Sequence, residues 1–187
     1  MGQNLITEEK VTEELKKAII ETLRVDEAQI KPETSLINDL GAESLDFLDI
    51  NYRLEQAFGM KMARHFVLEH IEEIYGEGSA IDENGQLTDK AVEILKIRFG
   101  ESVPGLQPGM DMDEVPAIVT VESIEKGVMD ILDSLPESCS KCNHTEWQTD
   151  NGSHLKCGSC GEPAAYANGD DLIKAWLSKV QEEKKIF

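Results

Sequence analysis

The sequence lacks any long hydrophobic run. No apolar stretch approaches the roughly 20 residues that a membrane-spanning helix needs, and the first residues, Met1 to Asn4, have none of the features of a secretory signal peptide. We therefore expect a cytoplasmic protein with no membrane span. The 187 residues, 40 % of them hydrophobic, are enough to bury a core in one domain or in two small ones.

Basic residues are also scarce. The chain has 18 Lys and Arg against 37 Asp and Glu, which gives a formal net charge of −19. Residues 136–187 hold 8 acidic and 6 basic side chains, so nearly all of the excess acid lies in residues 1–135. Nucleic-acid binding needs clusters of Lys and Arg, so we expect no nucleic-acid partner. An acidic surface attracts basic patches on other proteins or simply keeps the chain soluble, and both can hold.

Apolar residues at helical spacing predict three amphipathic helices in the acidic part. The first runs from about Glu8 to Arg24 with Thr7 as its cap, the second from Ser44 to Phe58, and the third follows Thr120. Between the first two, irregularly spaced apolar residues and Pro32 predict a long loop that tucks under the helices.

A short motif, DLGAESLD at residues 39–46, runs directly into the second helix. Ser44 lies where this helix begins, so a role as its N-cap is one interpretation. The motif and the acidic helix after it resemble the modification site of acyl carrier proteins, where a serine hydroxyl holds a 4′-phosphopantetheine arm. A phosphodiester on Ser44 would also be stabilised by the positive end of the helix dipole.

The resemblance implies roles for individual residues. Ser44 matches the attachment serine, and Leu45 and Asp46 match the residues that follow it. Acidic positions that meet partner enzymes would be Glu43, Asp46, Asp49 and Glu55. Two positions depart from the family pattern, because Glu43 replaces the usual aspartate and Arg53 places a cation on a helix that the family keeps acidic.

The resemblance also implies a fold and partners. The fold would be mainly α, an antiparallel helical bundle over residues 1–135, and the helix after Thr120 would be its last member. The partners would be a phosphopantetheinyl transferase and acyl-loading, synthase or acyltransferase enzymes with basic docking patches. The protein itself would be a monomer and would catalyse nothing.

An inserted segment of about residues 60–119 separates the second helix from the last. Carrier proteins have a short loop and one small helix here, whereas this chain predicts a helix over residues 66–74 and another over residues 91–99, capped by Thr88. Residues 100–117 are rich in Pro and Gly and predict a loop with room for the small helix. The insertion either enlarges the apolar space for an acyl chain or only packs its helices onto the bundle.

All four cysteines lie in the last quarter, in two Cys-x-x-Cys pairs. They are Cys139, Cys142, Cys157 and Cys160. This spacing, with a predicted hairpin around Asn151-Gly152, is typical of a zinc ribbon with four thiolate ligands. Two disulfides and a dithiol redox motif are the competing interpretations, and neither fits a reducing cytosol or the sequence context as well.

The four histidines are expected to be ordinary, and His144 and His154 are expected to lie on the surface. His144 and His154 flank the cysteines, but four thiolates already complete a zinc shell. His65 and His70 are five apart on a predicted helix and so would not share a face.

A final helix opens near residues 168–171 and carries Trp176, which we expect to pack against the ribbon or the bundle. Residues 136–187 therefore predict a second domain, a β zinc ribbon with a terminal helix. The function predicted first is an acyl carrier, and the alternative is a zinc-ribbon adaptor that binds other proteins. A catalytic role is the weakest interpretation, because a closed four-thiolate site has no open position and Ser44 has no identifiable base.

Overall fold

The computed structural model describes residues 2–187 and is mainly helical. Its elements, in chain order, are α1 (Glu8–Leu23), α2 (Ser44–Phe58), α3 (Val67–Tyr75), α4 (Asp89–Phe99), α5 (Val121–Leu132), β1 (Trp147–Thr149), β2 (Leu155–Cys157) and α6 (Gly169–Lys184). A 3-10 turn at Met112–Ile118 precedes α5, in the place where the sequence left room for the small helix. No helix within residues 2–187 is both long enough and apolar enough to cross a lipid bilayer.

The predicted threonine caps are all present. The side chain of Thr7 accepts a hydrogen bond from the Lys10 N–H, Thr88 accepts one from Ala91, and Thr120 accepts one from Ser123. Each bond satisfies an N–H that the first helical turn leaves free, so these three starts are encoded locally.

A first hydrophobic core lies between α1, α2 and α5. Its fully buried members include Val11, Leu15, Ile19, Ile50, Leu54, Val128 and Leu132. The loop between α1 and α2 covers this core with Ile30 and Leu36, as the sequence predicted. Thr22, near the end of α1, donates a hydrogen bond to Asp49, near the start of α2, as expected for antiparallel neighbours.

A second hydrophobic core joins the insertion to α6. The insertion supplies Val67, Ile71, Val92 and Leu95, and α6 supplies Ile173, Leu177 and Val180. Trp176 packs on this cluster with its ring centroid 5.0 Å from the Arg98 guanidinium of α4. Trp176 was expected to pack against the ribbon or the bundle. It packs on the insertion's core and also lines a cavity beside Gly127 and Ile131 of the bundle helix α5, because α6 contacts both α3 and α5.

The burial of these insertion residues bears on the idea of an enlarged acyl site. Val67, Ile71, Val92 and Leu95 lie inside the second core and fill the space between helices. Of the apolar residues on which that idea rested, Phe66 lines a groove of about 500 Å³, together with Met112 and Val115. The structure thus favours packing as the role of most of this apolar surface.

The C-terminal sheet is one antiparallel hairpin. Trp147 pairs with Cys157 and Thr149 with Leu155, and Gly152 takes the left-handed conformation (φ +79°) that the tight turn requires. Leu155 and Ala164 belong to the first core, so the hairpin rests on the bundle. Both hydrophobic clusters include residues from each side of position 135. The division of the chain into two domains, residues 1–135 and 136–187, therefore stays a prediction.

Candidate functional site: the start of α2 and the four-cysteine cluster

The turn before Ser44 is fixed by backbone hydrogen bonds. The Gly41 N–H donates to the Ile37 carbonyl at 3.0 Å, and the Ala42 N–H donates to the Leu36 carbonyl at 2.9 Å. Gly41 has a φ of +70°, which favours glycine, and Ala42 is buried. The motif therefore sets the direction in which the chain enters α2.

Ser44 is the first helical residue, and its side chain is exposed. The N-cap is Glu43, so the interpretation of Ser44 as the cap was wrong. The Asp46 carboxylate accepts the Glu43 N–H at 2.8 Å, and the Glu43 carbonyl accepts the Asp46 N–H at 3.0 Å. This reciprocal pair closes the first turn and leaves the Ser44 hydroxyl with no hydrogen-bond partner among residues 2–187.

The electrostatics at this point favour an anion. The backbone N–H groups of Ser44 and Leu45 have no acceptor within the described part of the chain. Unpaired N–H groups at the first turn carry the positive end of the helix dipole. A phosphate attached to Ser44 would lie beside them.

An apolar strip on α2 lies next to Ser44. Leu45, Leu48 and Tyr52 recur at steps of three and four residues, and 76 %, 51 % and 57 % of their surface is exposed. Sequence periodicity placed them beside the buried stripe and did not reveal that they face outward. Three large exposed apolar residues on one helix face are typical of an interaction surface.

The four acidic candidates do not share one environment. Glu43 is exposed, whereas Asp46 is held by its bond to the Glu43 N–H. Asp49 accepts hydrogen bonds from Thr22 at 2.9 Å and from Arg53 at 3.2 Å. These bonds, that from Thr22 first, lower the pKa of Asp49.

Glu55 was expected to meet partner enzymes, and this expectation needs correction because Glu55 is not on the surface. Its side chain is 2 % exposed, accepts the Met62 N–H at 3.0 Å and pairs with the Arg64 guanidinium at 2.9 Å. The segment after α2 folds back over it, so Glu55 holds that segment in place and does not face a partner enzyme.

Arg53 is also paired within the chain. Its guanidinium contacts Glu21 of α1 as well as Asp49. The cation that departs from the family pattern is therefore neutralised locally, and the surface of α2 near Ser44 remains acidic and apolar.

The four cysteine sulfurs form a compact cluster. Cys139 and Cys160 have their Sγ atoms 3.7 Å apart, those of Cys142 and Cys157 are 3.5 Å apart, and all four lie within 4.8 Å of one another. Tetrahedral zinc with Zn–S bonds of about 2.3 Å places its sulfurs about 3.8 Å apart. The residues present therefore fit a four-thiolate metal site.

Local backbone geometry supports this donor set. Hydrogen bonds from the N–H groups of Cys160 and Ser159 lower the pKa of Cys157 to about 6, which favours the thiolate that a metal binds. The Glu162 N–H acts in the same sense on Cys160, but burial and the neighbouring thiols outweigh it and raise the pKa of Cys160 to about 12, so a metal ion would displace that proton on binding. Gly161 takes the left-handed conformation (φ +74°) after the second pair. His144 and His154 lie outside the cluster, as expected.

A second group of potential ligands was missed by sequence reasoning. His65, His70 and Asp170 come together, although the two histidines were expected to be ordinary. The helix begins only at Val67, so the five-residue spacing does not separate His65 from His70 around a helix axis. Their common partner, Asp170, is a hundred residues away, and no local pattern points to it.

Asp170 is held as an anion by its surroundings. Burial by itself would raise its pKa, but hydrogen bonds from the Arg64 and His65 N–H groups and from His70 outweigh burial and lower it. The carboxylate therefore stays ionised while it joins α6 to the start of α3.

Residues 13–74 match the model of a protein family described as "Phosphopantetheine attachment site". The matched span includes Ser44 and the whole of α2, and it ends within α3, before α4, α5 and the four cysteines. This part of the chain is thus similar to phosphopantetheine-attachment domains, which is consistent with the acyl carrier protein family. The match confirms the resemblance that the motif at residues 39–46 indicated.

Proposed function

We propose that this protein is an acyl carrier whose Ser44 bears a 4′-phosphopantetheine arm. The arm would carry acyl chains as thioesters to partner enzymes of fatty acid, lipid or polyketide biosynthesis. The observation that carries the proposal is the exposed, unpartnered Ser44 hydroxyl at the first residue of α2, inside the matched family span.

This chain contributes to the attachment of the arm by presenting an accessible Ser44 to the transferase. A phosphopantetheinyl transferase joins the Ser44 oxygen to the coenzyme A phosphorus that bears the pantetheine arm. The pyrophosphate P–O bond of coenzyme A breaks, adenosine bisphosphate leaves, and the transferase accepts the serine proton. Since no side chain among residues 2–187 hydrogen-bonds the Ser44 hydroxyl, this chain supplies no base. The proposal is therefore a carrier on which the transferase acts.

The docking face would be the part of α2 around Ser44. Glu43 and Asp46 supply negative charge, and Leu45, Leu48 and Tyr52 supply exposed apolar area. Basic patches on the transferase and on acyl-loading, synthase or acyltransferase enzymes would complement this face, mainly by raising encounter rates. We place these encounters in the cytoplasm, with the carrier as a monomer.

The four cysteines would hold one structural zinc ion. Cys139, Cys142, Cys157 and Cys160 would bind it as thiolates, and the closed shell would leave no position for a substrate. Zinc supplies folding free energy to this small hairpin, whose own apolar contribution to the core is limited to a few residues. The metal would thus keep the hairpin seated on the bundle.

Intact mass tests the proposal. After incubation with a phosphopantetheinyl transferase and coenzyme A, the protein should gain the mass of one arm, and Ser44→Ala should gain none. Ser178→Ala, which removes an exposed helical serine elsewhere, is the matched control and should be modified fully. An unmodified wild-type protein would favour the alternative, a zinc-ribbon adaptor, and a modified Ser44→Ala variant would end the assignment of Ser44.

A further inference from the structure

Asp170, in the first turn of α6, joins parts of the chain that are far apart in sequence. Its Oδ2 accepts the Arg64 N–H at 2.9 Å, and its Oδ1 accepts the His65 N–H at 3.0 Å. The carboxylate is 17 % exposed, and Oδ1 lies 2.9 Å from His70 Nε2. Two backbone donors therefore fix the carboxylate while Oδ1 faces two imidazoles.

The second imidazole is that of His65. Its Nδ1 lies 3.7 Å from the same Oδ1, and its ring stands edge-on to that of His70, with centroids 5.8 Å apart. The three ligand atoms lie within 4.8 Å of one another. Tetrahedral zinc with bonds of about 2.0–2.1 Å to N and O places its ligand atoms about 3.3 Å apart. The two distances to Oδ1, 2.9 and 3.7 Å, each differ from that value by about 0.4 Å, and a bound ion would also bring the two imidazole nitrogens, now within 4.8 Å, to this separation.

The other ring nitrogen of His70 gives an independent indication. His70 is 3 % exposed, and its Nδ1 is buried with no hydrogen-bond partner. The nearest charged atom is Glu73 Oε2 at 3.7 Å, an acceptor that Lys174 holds in place. If Nε2 carries the proton and donates to Asp170, Nδ1 is a bare lone pair that faces another acceptor. A buried polar atom without a partner requires an explanation.

A metal ion on Nε2 resolves this arrangement. The proton would then sit on Nδ1, which would donate to Glu73. Metal-bound histidines usually donate their second N–H to a carboxylate or carbonyl in this way. Asp170 Oδ1 would keep its bond to the His65 N–H, because a carboxylate oxygen has a second lone pair for the metal.

We propose that His65, His70 and Asp170 form a binding site for a divalent transition-metal ion such as zinc, separate from the four-cysteine cluster, with Glu73 as the residue that orients His70. Imidazole and carboxylate donors suit zinc, cobalt or nickel better than calcium or magnesium. His65 is 60 % exposed, so the ion enters from that side and water completes its shell. The bound ion joins the segment before α3 to α6 and thereby fastens the second core.

A doubly protonated His70 between Asp170 and Glu73 is the rival explanation, since it also satisfies both ring nitrogens. The two explanations differ at His65. An imidazolium at position 70 needs nothing from His65, whereas the metal site loses a third of its protein ligands without it. Because His65 is largely exposed, His65→Gln tests the metal without disturbing the core.

Metal titration of the full chain decides between them. With the cysteine cluster already filled, cobalt should bind in a second equivalent whose spectrum shows d–d bands but no new thiolate charge-transfer band. His65→Gln should weaken this second equivalent at least tenfold, His70→Gln should abolish it, and Glu73→Gln should weaken it about tenfold. His154→Gln, which changes an exposed histidine outside the cluster, should leave it unchanged.

Two results would overturn the proposal. One is a wild-type protein that binds a single equivalent in the cysteine cluster. The other is a second equivalent that survives in both His65→Gln and His70→Gln, which would mean adventitious metal only. Circular dichroism of each variant separates loss of a ligand from loss of the fold, and His65→Gln remains informative if the buried His70 tolerates no change.

Discussion

At the scale of single residues, the carboxylates of α2 look alike in the sequence and differ in the fold. Glu43 is exposed beside Ser44, whereas Glu55 is buried against Met62 and Arg64. Only the first can take part in an encounter with another protein. The same residue type is therefore accessible to a partner at one end of α2 and part of the internal structure at the other.

This difference predicts opposite effects of two matched substitutions. Glu55→Ala should lower the free energy of unfolding by about 2–3 kcal/mol, because it leaves a buried N–H and a half-exposed Arg64 without partners. Glu43→Ala should change stability by less than about 0.5 kcal/mol and should lower kcat/KM for modification of Ser44. Urea unfolding and transferase kinetics measure the two quantities. Equal stability losses in the two variants would contradict a structural role for the buried Glu55.

Glu125, on α5, offers a prediction about pH. Burial and the nearby Glu8 and Glu122 raise its pKa, so the folded state binds the proton more tightly than the unfolded state. Its contribution to stability is therefore unfavourable once pH rises above the unfolded pKa, and it reaches its full size above the raised folded value. Glu125→Gln should stabilise the protein at pH 7, by less than about 1 kcal/mol after solvent screening.

Urea unfolding at two pH values checks this sign. The gain from Glu125→Gln should be present at pH 7 and smaller at pH 4, where the carboxyl group is mostly protonated in both states. Glu93→Gln, on the exposed face of α4, is the control and should show no such trend. A gain of equal size at both pH values would mean that charge is not its cause.

At the scale of elements, the features that the sequence predicted are those with local causes. Thr7, Thr88 and Thr120 cap their helices through bonds to residues three positions ahead. The Asn-Gly hairpin and the two Cys-x-x-Cys pairs also act over short distances. The apolar stripes of α1, α2 and α5 correctly predicted the first core, because a helix presents residues three and four apart on one face.

Contacts between distant segments could not be predicted in this way. Glu55 is buried only because residues 60–64 fold back over it, and Asp170 meets His70 across a hundred residues. Leu45 and Leu48 are apolar yet exposed, which helical periodicity does not distinguish from a wide buried stripe. The burial of Glu55 and the cluster of His65, His70 and Asp170 both depend on such contacts, so neither could be predicted from the sequence.

Chelation tests whether the hairpin depends on the zinc ion that we propose for the four cysteines. Because Leu155 and Ala164 belong to the first core, chelation should speed amide exchange throughout residues 139–164 and also near Phe58 and Met60. Amides in the middle of α1 should keep their protection. The experiment is best done in His65→Gln, so that the response comes from the cysteine cluster alone.

Elemental analysis of that variant should find one zinc per chain. Unchanged exchange in residues 139–164 after chelation would show that the metal does not stabilise the hairpin. Iron with a visible absorption band would instead favour an electron carrier in place of a structural zinc ribbon.

At the scale of the whole molecule, the chain builds its second core from two segments that α5 and the ribbon separate in the sequence. The insertion supplies α3 and α4, and α6 follows the hairpin in the chain. Leu177 is fully buried between these elements. The insertion therefore depends on the C-terminal helix, and the family match, which ends at residue 74, covers neither α4 nor α6.

Leu177→Ala tests that dependence. It should cost about 2–5 kcal/mol, because it removes fully buried apolar volume from a packed core. The loss should appear first as faster amide exchange in α3, α4 and α6, while α1 and α2 keep most of their protection, since their residues lie in the other core. Ser178→Ala, on the exposed face of the same turn, should change neither. If α1 and α2 lose protection as much as α3 and α4, the two cores unfold as one unit, and Ser44 is then presented by the whole molecule and not by the bundle alone.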